Sequence, residues 1–113
     1  MEKKEEIILL PKIFDPRGSL TVTEEMKNIP FHIHRVEYLY GICQGKELEK
    51  YTEKENYKFY VALSGSFRIT IQEDDDTKRD YMLNRPYQGL LIQGDTHYSI
   101  HDFSNGVVCL EIE

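Results

Sequence analysis

The chain has 113 residues, of which 40% are hydrophobic, 12% aromatic and 30% charged; that is enough apolar surface to exclude disorder, and enough length for one ordinary core but not two. A net charge of −6 without any Lys/Arg cluster repels phosphate backbones and excludes nucleic acid as a partner. The apolar run Ile7-Ile8-Leu9-Leu10 is too short for a leader core or a membrane span, and acids stand at Glu2, Glu5 and Glu6 where a secretory leader is basic. The expectation is therefore a single domain over residues 1–113 in the cytoplasm, with no membrane partner and a short charged N-terminal extension at about 1–6.

Apolar and polar residues alternate along most of the chain, and no long segment keeps the i, i+3, i+4, i+7 spacing of an amphipathic helix. In chain order the predicted strands are Ile7–Leu10, Ser19–Glu24, Ile33–Tyr40, Leu48–Tyr51 and Tyr57–Leu63, then Phe67–Gln72, Asp80–Leu83, Gly89–Ile92, Tyr98–His101 and Val107–Ile112. Many short strands with close turns predict an all-β sandwich or barrel. Ser64-Gly65-Ser66 reads as a tight hairpin, since glycine takes the positive φ such turns need. Glu73-Asp74-Asp75-Asp76 followed by Thr77-Lys78-Arg79 reads as a solvated hairpin tip, because a calcium loop would need a glycine and a distant glutamate that are missing. Cys43 and Cys109 lie far apart in the sequence, without metal-ligand spacing, and read as reduced structural thiols. His32 and His34 alternate on one face of a predicted strand and read as surface or packing side chains.

Five stretches occur in a telling order: Phe14-Asp15-Pro16-Arg17-Gly18-Ser19-Leu20, Asn28-Ile29-Pro30-Phe31, Arg35-Val36-Glu37-Tyr38, Leu63-Ser64-Gly65-Ser66 and His101-Asp102-Phe103-Ser104. Together they resemble the WxcM-like family of dTDP-4-keto-6-deoxyhexose 3,4-ketoisomerases. The resemblance implies a cupin-type jelly-roll barrel, a homodimer and a dTDP-type nucleotide-linked sugar as partner. The family carries Arg-Gly and then His-x-His before its central strand, the two imidazoles serving as acid and base inside the barrel. Counting back from Leu63-Ser64-Gly65-Ser66, the Arg-Gly falls on Leu48 and Glu49, and the histidines fall on Tyr51 and Glu53.

Moving a carbonyl along a sugar requires a proton to leave one carbon and reach its neighbour through an enediol, which suits a group that titrates near neutrality. Glutamate can serve if burial raises its pKa, and a phenol can serve if a neighbour stabilises the phenolate. The catalytic candidates are accordingly Tyr51, Glu53 and His97. Ile92-Gln93-Gly94-Asp95-Thr96-His97 keeps the glycine and histidine of a late cupin pattern and so aligns His97 with an inward position. Aligning instead from His101-Asp102-Phe103-Ser104 puts the family histidine on Tyr98, on the opposite face of the strand. His101, four residues beyond His97, shares its face and is a candidate ligand contact.

Cupin metal positions would read Tyr51, Glu53, Tyr57 and His97, a poor divalent set because neutral phenols are weak ligands, so neither a metal nor another cofactor is expected. Arg17 and Arg35 offer planar donors to a diphosphate, with pairing to Asp15 and Glu37 as the alternative, and Tyr38 offers a stacking surface. Three functions follow. An altered-site isomerase or epimerase would use Tyr51, Glu53 and His97. A silent nucleotide-sugar binder would keep Arg17, Gly18 and Arg35. A structural or partner-binding barrel would be filled by Tyr51, Tyr57 and Phe59.

Overall fold

Period-two alternation buries one face of each strand, and two such sheets stacked face to face form the molecule, whose computed structural model describes residues 4–113. The strands are β1 (Glu5–Leu9), β2 (Lys12–Asp15), β3 (Gly18–Thr21), β4 (Val36–Leu39), β5 (Leu48–Thr52), β6 (Tyr57–Ser64), β7 (Phe67–Gln72), β8 (Lys78–Leu83), β9 (Gln88–Gln93), β10 (Thr96–His101) and β11 (Val108–Ile112). One sheet runs β1-β9-β6-β11-β4, the facing sheet runs β5-β10-β7-β8, and β2 with β3 forms a separate hairpin. All pairings between these strands are antiparallel. This is the expected all-β jelly roll; among the described residues no helix is long and apolar enough to cross a membrane.

The predicted strands recur with shifted ends, and β7 matches its predicted range. Three differences matter. β2 is not among the predicted strands; Lys12–Asp15 is short, abuts Pro16 and exists as a strand through its pairing with β3. The charged extension expected at about 1–6 overlaps β1, whose Glu5 and Glu6 pair with Ile92 and Leu91, while residues 1–3 lie outside the described residues. His32 and His34 precede β4 instead of lying on it; His32 bonds Glu25 at 3.1 Å and is a surface side chain.

Between the sheets lie Tyr60, Ala62, Phe67, Ile69, Ile71, Leu83, Leu90, Ile92, Tyr98 and Ile100, all buried. The outer face of the five-stranded sheet carries Phe59, Val61, Leu91 and Ile112 under a cover of Leu10, Ile29 and Phe31. Gly65, at φ +71°, makes the β6–β7 turn, and a Cβ there would collide with the Ser104 hydroxyl.

The two long edges of the sandwich differ. On one, β1 meets β8: the buried Glu5 carboxylate accepts from Arg79 at 2.5 and 3.0 Å and from the Tyr81 hydroxyl at 2.8 Å. Tyr60 of β6 meets Tyr98 of β10, and Lys50 of β5 lies 3.8 Å from Glu111 of β11. With β11 over β5, the fifth strand, β4, overhangs the four-stranded sheet and leaves that edge open.

Closing the first edge places a carboxylate out of water, and such a charge is tolerated only while its cation remains. Arg79→Met is therefore expected to destabilise the fold by about 3 kcal/mol, read from the urea midpoint at constant m-value.

Candidate functional site

The inward residues grade from apolar to polar along the strands. At one end are Phe67, Leu83, Ala62 and Ile100. At the other are Lys58 of β6, Lys50 and Thr52 of β5, Thr96 of β10, Glu111 of β11 and Glu37 of β4. The phenols of Tyr60 and Tyr98 sit at the boundary, 2.7 Å apart. Tyr60 donates to Glu111 at 2.6 Å, and Lys58 donates to Glu111 at 3.1 Å and also to Glu113. Arg35, beside the open edge, pairs with Glu37 and reaches Glu113 at 3.7 Å.

Burial pushes the Glu111 carboxyl up, but the Tyr60 hydrogen bond and the charges of Lys58 and Lys50 outweigh it and hold the pKa below the ordinary range. Burial, with Tyr98 and Glu111 beside it, drives the Tyr60 phenol far above its usual value. Tyr98 is raised by burial as well. Burial lowers Lys58, yet its bond to Glu113 and the charge of Glu111 leave it raised. Burial and then Glu111 push the Cys109 thiol to about 12. The inner network is thus locked near neutrality as a carboxylate, an ammonium and two neutral phenols. It presents fixed charges and donors; it does not exchange protons readily at neutral pH.

The predicted catalytic residues lie elsewhere. Tyr98 pairs with Lys50 and faces inward, so His97 and Tyr51, which pair with each other, face outward, as do His101 and the exposed Glu53. The alignment that gave Tyr98 the family histidine's place therefore predicts the inward side chain, and the inward reading of His97 is corrected by one residue of register. Tyr51 and His97 do meet, with ring centroids 4.5 Å apart. They line a groove of about 620 Å³ on the outer face with Thr70, Gln72, Glu73 and Lys78. The Tyr51 hydroxyl donates to Asp95 at 2.7 Å; that bond, then burial and the charges of Asp95 and Glu53, raises the phenol's pKa.

The predicted binding residues are scattered. Arg17 stands at the tip of the β2–β3 hairpin in a two-pronged pair with Asp15, at 3.0 and 3.3 Å. Tyr38 is 61% exposed on the outer face of β4. His101 is bonded to Thr70 at 2.6 Å on the outer face of β10. Only Arg35 stands near the inner network. Tyr51, Tyr57 and Phe59, expected to fill a closed barrel, all point away from the interior, which Tyr60 and Tyr98 fill instead. Sequence reasoning missed Lys50, Lys58 and Glu111. The available signal was Glu111 itself, an acid two residues from buried Cys109 on the core-facing side of a strand.

Fold and site together define a cupin-type sandwich with one polar, open-edged end. The FdtA family model, described as WxcM-like, C-terminal, matches residues 3–112; the chain belongs to this family. It is 36% identical over 110 residues to the TDP-4-oxo-6-deoxy-alpha-D-glucose-3,4-oxoisomerase of Aneurinibacillus thermoaerophilus, covering 97% of this chain and 77% of that protein. Among solved structures it resembles QdtA, a sugar 3,4-ketoisomerase of Thermoanaerobacterium thermosaccharolyticum in complex with TDP, with a TM-score of 0.91 and 28% identity over 99% of this chain and 81% of that one. It also resembles the WlaRB TDP-quinovose 3,4-ketoisomerase of Campylobacter jejuni, with a TM-score of 0.89 and 30% identity over 98% and 85% of the two chains.

A carboxylate whose folded pKa lies below its unfolded value stabilises the protein fully above that unfolded value, about 4.3, and this contribution is lost as pH falls through the folded value. Glu111→Gln is expected to cost about 2 kcal/mol at pH 7, by loss of charged hydrogen bonds, and to flatten the acid limb of the stability profile, both measured by urea unfolding at a series of pH values.

Proposed function

We propose that this chain is a single-domain cupin that binds a TDP-linked 4-keto-6-deoxyhexose at the polar end of its sandwich, in the biosynthesis of sugars for surface polysaccharides. In this reading it works in the cytoplasm as a binding member of its family, without the family's usual proton transfer. One observation carries the reading: the polar end of the inter-sheet space joins Lys58, Tyr60, Tyr98 and Glu111 in one hydrogen-bonded network with Lys50 beside it, with His97 and His101 on the outer face. Such a network can orient a sugar's hydroxyl and keto oxygens. It is poorly suited to taking a proton from one carbon and returning it to the next. The relatives support the ligand class, since one is named for a TDP-4-oxo-6-deoxy sugar and another was solved with TDP.

A second reading, the altered-site isomerase, is favoured by the contact of Tyr51 with His97 beside the outer groove. TDP is expected to raise the melting temperature saturably, and UDP and GDP less, in a thermal-shift titration. No shift with any of the three at about millimolar concentration removes the nucleotide-sugar reading. Incubation with TDP-4-keto-6-deoxyglucose in D2O then separates the two mechanisms. The binding reading expects no deuterium at the sugar's C3 or C4, whereas incorporation that His97→Asn abolishes establishes the isomerase.

The homodimer is part of the same proposal. The hairpin carries Ile13, Phe14 and Leu20 at 54%, 79% and 57% exposure, an apolar arm suited to a second copy. Light scattering behind size exclusion is expected to give twice the 13.4 kDa chain mass, and Phe14→Asp with Leu20→Asp to give the monomer.

A further inference from the structure

The five arginines of this chain are unequally matched. Arg17 pairs with Asp15, Arg35 with Glu37, Arg68 with Asp102 and Arg79 with Glu5. Arg85 takes part in no ion pair among the described residues; its guanidinium donates to the neighbouring carbonyl of Asn84 at 3.1 Å. Lys12 is likewise without a carboxylate, and its ammonium sits 4.7 Å from the centroid of the Tyr87 ring. In a chain with 20 acids against 14 lysines and arginines, two unpaired cations in one place are unexpected.

They line the same cavity. It measures about 470 Å³, lies between the β2–β3 hairpin and the β8–β9 turn, and is bounded by Lys12, Ser19, Thr21, Arg85, Pro86 and Tyr87. No acid borders it. We propose that this cavity binds a small phosphoryl-bearing anion, with Arg85 offering a planar fork of donors, Lys12 a point charge, and Ser19 and Thr21 their hydroxyls. Tyr87 supports Lys12 from below through its ring face, an arrangement that holds the ammonium in place without neutralising it.

This is a different place from the polar end of the sandwich. Tyr87 leads into Gln88 at the start of β9, whereas Lys58 pairs with Ile92 near the strand's other end. The inference therefore stands independently of nucleotide-sugar binding. The phosphoryl group has two sources, a free phosphate-bearing metabolite or the diphosphate of a nucleotide.

The test is a 1H–15N NMR titration of the full chain with inorganic pyrophosphate. Saturable shifts are expected at the amides of Lys12, Ser19, Thr21, Arg85 and Tyr87, with an apparent Kd of about 1 mM or tighter. Binding should weaken by about tenfold or more in Lys12→Ala/Arg85→Ala and stay unchanged in Lys46→Ala, an exposed cation elsewhere. Both altered side chains are exposed, and the dispersion of the variant's own spectrum verifies its fold. Absence of saturable shifts at these amides, or equal affinity in the double variant, overturns the site. A parallel titration with TDP identifies the source. Shifts at the same amides that the double variant loses indicate a nucleotide diphosphate, and shifts confined to the polar end indicate a separate anion. If TDP binds nowhere while pyrophosphate still does, the proposed function fails and the anion site stands.

Discussion

Glu111 is a carboxylate held in the middle of a β-sandwich, and a charge there is tolerable only when every partner is in place. Its partners come from three other strands: Tyr60 and Lys58 from β6, Lys50 from β5, and, through Tyr60, Tyr98 from β10. Each of these bonds requires its strand to present one face and not the other. A slip of one residue in β5 or β10 would remove Lys50 or Tyr98 from the interior and leave part of the network unsatisfied. The buried charge thus reinforces the register that apolar packing alone sets at the other end of the sandwich.

That register also decides what chemistry is available where. Inside, burial and mutual hydrogen bonding raise Lys58, Tyr60 and Tyr98 and lower Glu111, which favours recognition of a polar ligand over repeated proton exchange. Outside, His97 of β10 faces a groove whose rim includes the acidic β7–β8 tip. Such a surface repels a diphosphate, while the Lys12–Arg85 cavity at the far end of β9 attracts one. Charge is therefore partitioned over the molecule in a way the net value of −6 conceals.

The open edge follows from strand count. Five strands face four, the β1–β8 side is clasped by Glu5 with Arg79 and Tyr81, and β4 is left to overhang. The polar end of the interior lies inward of this side, with Glu111, Tyr60 and Tyr98 buried. Arg35, the one predicted binding residue near it, lies just ahead of β4, where it pairs with Glu37.

The sequence by itself determined the class of fold, because alternation in stretches such as Phe67–Gln72 and turn chemistry at Ser64-Gly65-Ser66 are local properties that tertiary packing only ratified. It also determined the family, through motifs spread along nearly the whole chain, and the loss of the histidine pair, which is visible as Tyr51 and Glu53. Tertiary structure decided which face of each strand turns inward. The two alignments of the β10 segment differed by one residue, and one residue is the whole difference between His97 and Tyr98 as the inward side chain. Only pairing with β5 and β7 resolves that parity, since a strand's two faces are equivalent until a partner sheet covers one of them. The same dependence hid the Lys50–Glu111 contact, whose members are far apart in sequence and meet only because β5 and β11 belong to facing sheets. The Lys12–Arg85 cavity was hidden likewise, because β2 exists only through its pairing with β3.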